Sequence, residues 1–311
     1  MKVLVAGSSN IDLVARVNSF PVPGETIGGA RFMQNLGGKG ANQAVAAARM
    51  GGDVTFVTSL GNDVYAGSIR ETIAREGIDT DSIVEDPSNP TGTAIILVAS
   101  SGENCIVVAP GANYSLTPDS ISGLDALIDD ADIIVMQAEI PYETNRFIAQ
   151  KASSKGKKVL FNPAPACHID PEFMKAISIL VVNETEASFI SGIDYDGDNI
   201  DVIADALIES GAPEVVITLG GQGVYMKNTD TTIRIPARKV DVVDTTAAGD
   251  TFCGALAVMC AGRSIDRDAL EFANTAASFA VTRAGAIPSI PYLDEVIPNL
   301  QQNINQLNQL S

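Results

Sequence analysis

The sequence is poor in positive charge. Against 38 aspartates and glutamates it sets 20 lysines and arginines, for a net charge of −18. Such a chain repels phosphate backbones and anionic membrane surfaces, which argues against nucleic-acid and membrane partners. The same charge repels an anionic substrate, so a nucleotide would have to meet a local cluster of donors. Histidine occurs once, as His168 after a proline-rich loop, and reads as a buried or solvated imidazole rather than a catalytic one. The four cysteines, Cys105, Cys167, Cys253 and Cys260, lack CxxC or metal-ligand spacing. They read as reduced, mostly buried thiols of a cytoplasmic protein. No apolar run reaches the ~20 residues of a membrane-spanning helix, and the opening Met1–Gly7 strand is too short for a secretory leader. Internal repeats and low-complexity tracts are absent as well.

What remains is a chain of 311 residues with 46% hydrophobic and 19% charged residues. That suits one large α/β domain with a small appendage. Short apolar runs at Val3–Ala6, Val54–Thr58, Ile133–Met136, Val159–Phe161, Ile179–Val182 and Val215–Thr218 read as parallel strands buried on both faces. Helical stretches alternate with them. Ala41–Met50 is ended by Gly51-Gly52 and Ile200–Ser210 by Gly211. This alternation predicts a three-layer α/β/α sandwich with a mostly parallel central sheet. Residues 12–36 and 91–109 break the pattern. Leu13–Val17 and Thr93–Val98 are expected as antiparallel strands of a small β-sheet lid. The leucines of Asn299–Ser311 keep near-helical spacing and predict a terminal surface helix.

The strongest local signal is Asp244-Thr245-Thr246-Ala247-Ala248-Gly249-Asp250, ahead of an apolar helical run from Thr251 to Ala261. Small residues at a helix start let free backbone N–H groups turn toward an anion. Asp250 there could take a proton from a hydroxyl about 3 Å away. It could equally be a plain N-cap. The second signal, Gly37-Gly38-Lys39-Gly40-Ala41-Asn42-Gln43, precedes the alanine-rich helix. It is no Walker loop, because no Ser or Thr follows Lys39 and the glycine spacing differs. Its glycines permit close backbone approach, and Lys39 and Asn42 offer donors to hydroxyls. Asn10 and Asp12 follow the first strand, where ligands of open α/β sheets bind, and their spacing puts both on one side. Glu139 closes another strand. Thr218-Leu219-Gly220-Gly221-Gln222-Gly223 is a glycine-rich turn suited to a nucleotide. Asn183 and Glu186 share a helix face and could hold a hydrated Mg²⁺. They also fit an ordinary capping box.

Together these segments resemble the ribokinase-like sugar kinase family. GGKGANQAVAAARMGG is similar to its first signature, DTTAAGDTFCGAL to its second, and Asn183–Glu186 to its NxxE motif, in matching order from Gly7 to Pro291. The resemblance implies one kinase domain over residues 1–311, with lid segments at about 12–36 and 91–109. It implies ATP-dependent phosphorylation of ribose at its O5 hydroxyl, with Asp250 as general base and the amides of Ala247, Ala248 and Gly249 as an anion hole. Asn10, Ile11, Asp12, Gly38, Lys39, Gly40, Ala41, Asn42 and Glu139 would surround the sugar. Asn183, Thr218, Leu219, Gly220, Gly221, Gln222, Gly223, Gly249 and Asn274 would line the ATP site. Glu186 would order Mg²⁺. A monovalent cation, K⁺, would take Asp244 and Ser289 with main-chain carbonyls of Thr246, Ala280, Arg283 and Gly285. The lid would pair two copies into a homodimer. Asn274 stands where family members can carry histidine beside adenine, and Cys253 has no implied role.

Other acceptors stay open: a kinase for deoxyribose, a nucleoside such as adenosine, or a phosphorylated hexose. Asn10 favours a sugar with a 2-hydroxyl, since an amide left unpaired in a closed site penalises the deoxy sugar. A phosphosugar would want more cations than Lys39, Arg16 and Arg31. A non-catalytic sugar-binding regulator is a further alternative, against which Asp250, Gly249 and Glu186 speak. An NAD-binding oxidoreductase lacks its GxGxxG fingerprint.

Overall fold

The computed structural model describes residues 1–300. Its main sheet has eight strands, in the order Thr232–Ile235, Val224–Asn228, Glu214–Thr218, Ile179–Asn183, Lys158–Asn162, Ile133–Gln137, Lys2–Ala6 and Asp53–Val57. Six run parallel, and the hairpin of residues 224–235 adds an antiparallel edge. All six predicted strands are present, each within a residue or so of its expected bounds.

Strand periodicity builds two cores from one sheet. Val3, Val5, Ile133, Val135 and Val181 face one side, with the helices Lys39–Arg49, Ala248–Cys260 and Arg267–Ala280 over them. Leu4, Ala6, Ile134, Met136 and Val182 face the other, under the helices Tyr142–Ser154 and Ile200–Glu209. The sandwich expected from the alternation of elements is therefore borne out. The helices expected at 41–50 and 200–210 occupy 39–49 and 200–209. Residues 293–300 are helical. Of the helix expected at Asn299–Ser311, residues 301–311 lie outside the described residues.

A separate four-stranded sheet has the order Arg31–Gly37, Asn10–Val17, Gly92–Ala99, Asn104–Ala109. Here the expected pairing needs correction. Asn10–Val17 and Gly92–Ala99 run parallel to each other, and each finds its antiparallel partner next along the chain. Two hairpins laid side by side have this result, and the direction of their contact is a long-range choice that local pattern does not encode.

The helices Lys39–Arg49 and Ala248–Cys260 touch at backbone distance. A Cβ built on Gly254 would stand 2.6 Å from Ala46 Cβ and 2.7 Å from the Gln43 carbonyl oxygen. Gly254→Ala is therefore expected to lower stability by ~1–3 kcal/mol through overpacking, more than the ~1 kcal/mol that alanine returns in helix propensity. An unchanged urea midpoint would show that the two helices can part without cost.

Candidate active site

Most of the predicted polar residues collect beyond the carboxyl ends of the parallel strands. Gly7–Asn10 follows Lys2–Ala6, Glu139 follows Ile133–Gln137, and Asn183 and Thr218 end their own strands. The glycines of the first motif make the crowding possible. Gly38 holds φ +89°, and a Cβ on Gly40 would lie 2.5 Å from the Gly7 carbonyl carbon and the Ser8 nitrogen. The helix Lys39–Arg49 thus starts in contact with the tip of the first strand.

The Glu139 carboxylate accepts from the Ser8 hydroxyl at 2.5 Å and from the Lys39 backbone N–H at 3.0 Å. Buried Asn10 accepts at Oδ1 from Asn113 Nδ2 at 2.7 Å, and its own Nδ2 finds no partner among the described residues. Asp12, two residues on, faces the same way. Burial, together with the charges of Glu139 and Asp250, pushes its carboxyl up to about 7. Burial pulls on the Lys39 ammonium in the neutral direction. Asp250, Glu139 and Glu186 more than offset it, so the lysine is held above its ordinary value. Of the other expected sugar residues, Ile11 and Ala41 are buried in the core beside this cluster.

The helix Ala248–Cys260 brings in Asp250. Its N-cap is Ala247, the only non-glycine with positive φ (60°) among the described residues, and no side chain caps it. The N-cap reading of Asp250 is thereby overturned. Its carboxylate accepts from Asn42 Nδ2 at 2.9 Å and Gln43 Nε2 at 3.0 Å, both on the neighbouring helix. Asn42 was expected to offer donors. The atom it leaves without a partner is the acceptor Oδ1, buried beside Asp250. At the helix start Ala248 N–H points to the Thr245 carbonyl at 3.3 Å, while the N–H groups of Ala247 and Gly249 meet no protein acceptor among the described residues. Of the expected anion hole, Ala247 and Gly249 are free and Ala248 is half engaged. Cys253, one turn on, is buried, and burial pushes its thiol well up, so it packs as a small apolar residue.

Thr218, Gly220, Gly221, Gln222, Gly223, Gly249 and Asn274 line one open cleft of about 620 Å³. Leu219 and Asn183 do not line it; Leu219 is buried in the core. Asn274 Nδ2 donates to the Pro236 carbonyl at 3.0 Å, so its amide also ties down the cleft wall. Arg238, Lys239 and Phe252 join the lining, although the sequence reading passed over them. His168 stacks on Phe189, with ring centroids 5.0 Å apart, and none of the site's hydrogen bonds involves it.

Asn183 and Glu186 form a reciprocal capping box, with bonds of 2.8 and 2.9 Å. The box aims Glu186, and burial raises its carboxyl despite the Asn183 N–H and Lys39. Among the described residues no three His, Cys, Asp or Glu side chains gather to grip a metal. A lone oriented carboxylate fits a Mg²⁺ held through water better than a protein cage. Asp244 accepts from Thr246 N–H, the Thr246 hydroxyl and Gly285 N–H at 2.7–2.9 Å. Burial opposes its charge, but these bonds win and hold its carboxyl below the usual range. A carboxylate held ionised is the kind of oxygen ligand a monovalent cation would need. The Ser289 hydroxyl is buried and donates to the Ala286 carbonyl at 2.7 Å. The Ala280 carbonyl already accepts from Arg283 N–H.

A family model described as pfkB family carbohydrate kinase matches residues 1–293. The chain is 41% identical to the ribokinase of Staphylococcus aureus over 95% of its own length and 98% of that protein's. It is 32% identical to a deoxyribokinase of Salmonella typhi, covering 97% of this chain and all of that one. The solved structure of Arabidopsis thaliana ribokinase complexed with ribose and ATP superposes with a TM-score of 0.89 at 32% identity, covering 95% of this chain and 97% of that one.

The raised Asp12 carboxyl gives a signed expectation. The folded state holds this proton more tightly than the unfolded chain, so the stability it adds at low pH is lost as pH rises through about 7. Asp12→Asn removes that loss. The melting temperature of the ligand-free variant is expected to exceed the parent's at pH 8, with the gap shrinking at pH 5. Parallel melting curves across that range would sink this assignment.

Proposed function

The chain belongs to the pfkB family of carbohydrate kinases, and on that premise we propose that it transfers the terminal phosphoryl group of ATP to the O5 hydroxyl of ribose. The observation that carries the reading is the position of one helix start. Asp250 faces Asn42 and the charges of Asp12 and Lys39, while its neighbours Ala248 and Gly249 line the glycine-rich cleft. A hydroxyl on one side and a nucleotide on the other would meet there.

Asp250 is the general base in this scheme, taking the O5 proton as the bond to phosphorus forms. Asn10 Nδ2 is a donor without a protein partner among the described residues, and a sugar hydroxyl can satisfy it; Asn42 Oδ1 also lacks a partner there, but it is buried beside Asp250. Glu139, Asp12 and Lys39 complete the sugar cluster. Free N–H groups of Ala247 and Gly249 receive charge developing on the phosphoryl oxygens, strengthened by the positive end of their helix. The αL conformation of Ala247 turns these groups out at a cost of roughly 1–2 kcal/mol, which is the kind of strain found at functional sites. Glu186 would hold Mg²⁺ through water, and the ion would supply charge neutralisation on the phosphates. K⁺ would sit with Asp244, Ser289 and the carbonyls of Thr246, Ala280, Arg283 and Gly285.

The four-stranded sheet, which contributes Asn10 and Asp12, would act as the lid of a kinase domain spanning the chain, excluding water over the sugar. It exposes Phe32, Ile95, Ile106, Val107 and Val108, an apolar surface suited to a second copy of the chain. No helix among the described residues is long and apolar enough to cross a membrane. Unpaired cysteines fit a cytoplasmic location.

The reading is tested by ATP consumption with ribose, 2-deoxyribose, fructose 6-phosphate and adenosine, in Mg²⁺ and K⁺. Ribose is expected to be preferred. Preference for another acceptor would keep the mechanism and change the substrate, and no turnover with any would favour a binding-only protein. Asp250→Asn is expected to cut turnover at least ~10²-fold with a smaller change in ribose binding; a near-normal rate removes Asp250 from the chemistry. Replacing K⁺ with Na⁺ is expected to slow the reaction, and equal rates would count against the cation site.

A further inference from the structure

Behind Asp250 lies a set of buried amides that the scheme above leaves unused. Gln43 is fully buried, one residue past Asn42 in an alanine-rich helix. Its Nε2 donates both to Asp250 Oδ1 at 3.0 Å and to Asn162 Oδ1 at 3.1 Å. Its Oε1 accepts from Gln137 Nε2 at 2.8 Å. A carboxylate only accepts, so the Nε2 end of the Gln43 amide must face it, and Gln137 holds the Oε1 end. Gln137 is anchored in turn, since its carbonyl accepts from Asn145 Nδ2 at 2.7 Å, and Asn162 Nδ2 donates to the Val181 carbonyl at 2.9 Å. The network runs from the ends of two parallel strands, with a third gripped at Val181, through one glutamine to one carboxylate.

Burying this much amide is costly, the more so because Gln137 Oε1 and Asn145 Oδ1 are buried without a partner among the described residues. Apolar side chains would pack these positions at lower cost. The helix around Gln43 is otherwise built of Ala41, Ala44, Val45, Ala46 and Ala47, all buried. We infer that Gln43 is the positioning residue of the base: it fixes the plane of the Asp250 carboxylate from the protein side and leaves the other lone pairs for the incoming hydroxyl. The inference rests on the proposed role of Asp250. Each carboxylate oxygen receives one amide donor, Asn42 on Oδ2 and Gln43 on Oδ1. A neutral amide orients the carboxylate without neutralising it, as a lysine would. The charged or titratable groups facing Asp250 are Lys39, Asp12, Glu186 and Cys253, so the amides supply directed donors where most neighbours are acidic.

The test is a double-mutant cycle of Gln43→Leu and Asp250→Asn, read in steady-state kinetics. Gln43→Leu alone is expected to lower kcat between ~10- and ~100-fold, as misplacement of a reacting group does, with KM for ribose and ATP within ~2-fold. Removing an N–H donor destabilises the ionised carboxylate, so the acidic limb of the kcat/KM profile is expected to move to higher pH. In the Asp250→Asn background Gln43→Leu is expected to add little, because it acts only through the base. An equal further loss in that background, or an unmoved pH profile, would show a general structural role and overturn the inference. Wild-type kcat in Gln43→Leu would overturn it outright. A near-normal rate in Asp250→Asn alone would instead strike the reading beneath it. Should Gln43→Leu not fold, Gln137→Leu removes the donor that holds the Oε1 end of the Gln43 amide. It is expected to move kcat and the pH limb the same way by a smaller factor, and no movement of either would overturn the inference.

Discussion

The close contact between the helices Lys39–Arg49 and Ala248–Cys260 is the constraint on which the site depends. Gly254 has no side chain to hold them apart, so the backbone carbonyl of Gln43 and the methyl of Ala46 lie directly against it. Approach at this distance lets two short amides on one helix reach a carboxylate on the other. The same helix begins against the strand tip at Gly7 and Ser8, where Gly40 leaves no room for a Cβ. The first helix is thereby wedged between the sheet and the second helix, and residues more than 200 positions apart in the chain share one site.

Charge is the second organising feature. An acidic chain gathers Asp12, Glu139, Glu186 and Asp250 around a single lysine. Burial and mutual repulsion raise Asp12, whereas Asp244, held by three hydrogen bonds, is lowered. Carboxylates of one protein thus take different states because their donors differ. For the proposed reaction, a polyanionic nucleotide would meet Arg238 and Lys239 in its cleft, and backbone N–H groups and added cations at the helix start.

Much of the architecture was legible in the sequence. The six apolar runs are strands because their near-continuous hydrophobicity has only one use in a sheet covered on both faces. The glycine-rich motifs marked the strand ends and helix starts where the polar residues collect. The residues behind those motifs were harder to see. Gln43, Gln137, Asn113 and Asn162 are ordinary amides in the sequence, and their roles come from pairings across more than 90 residues. Gln43 did leave a trace, as a polar residue within a run of small apolar ones. Arg238 and Lys239 left none, because a cleft wall is defined by what folds opposite it.

Local chemistry by itself determined the order of elements, the two-faced sheet, the helix start at residues 247–250 and the capping box of Asn183 and Glu186. Each depends on side-chain size, periodicity or backbone freedom within a few residues. Only the tertiary structure decided that Asp250 is held by a neighbouring helix instead of capping its own, and that Asn42 keeps an acceptor free. It also decided that the strands Asn10–Val17 and Gly92–Ala99 run parallel. Those outcomes rest on hydrogen bonds between distant segments. Their direction and geometry exist only once the hydrophobic layers have brought the segments together.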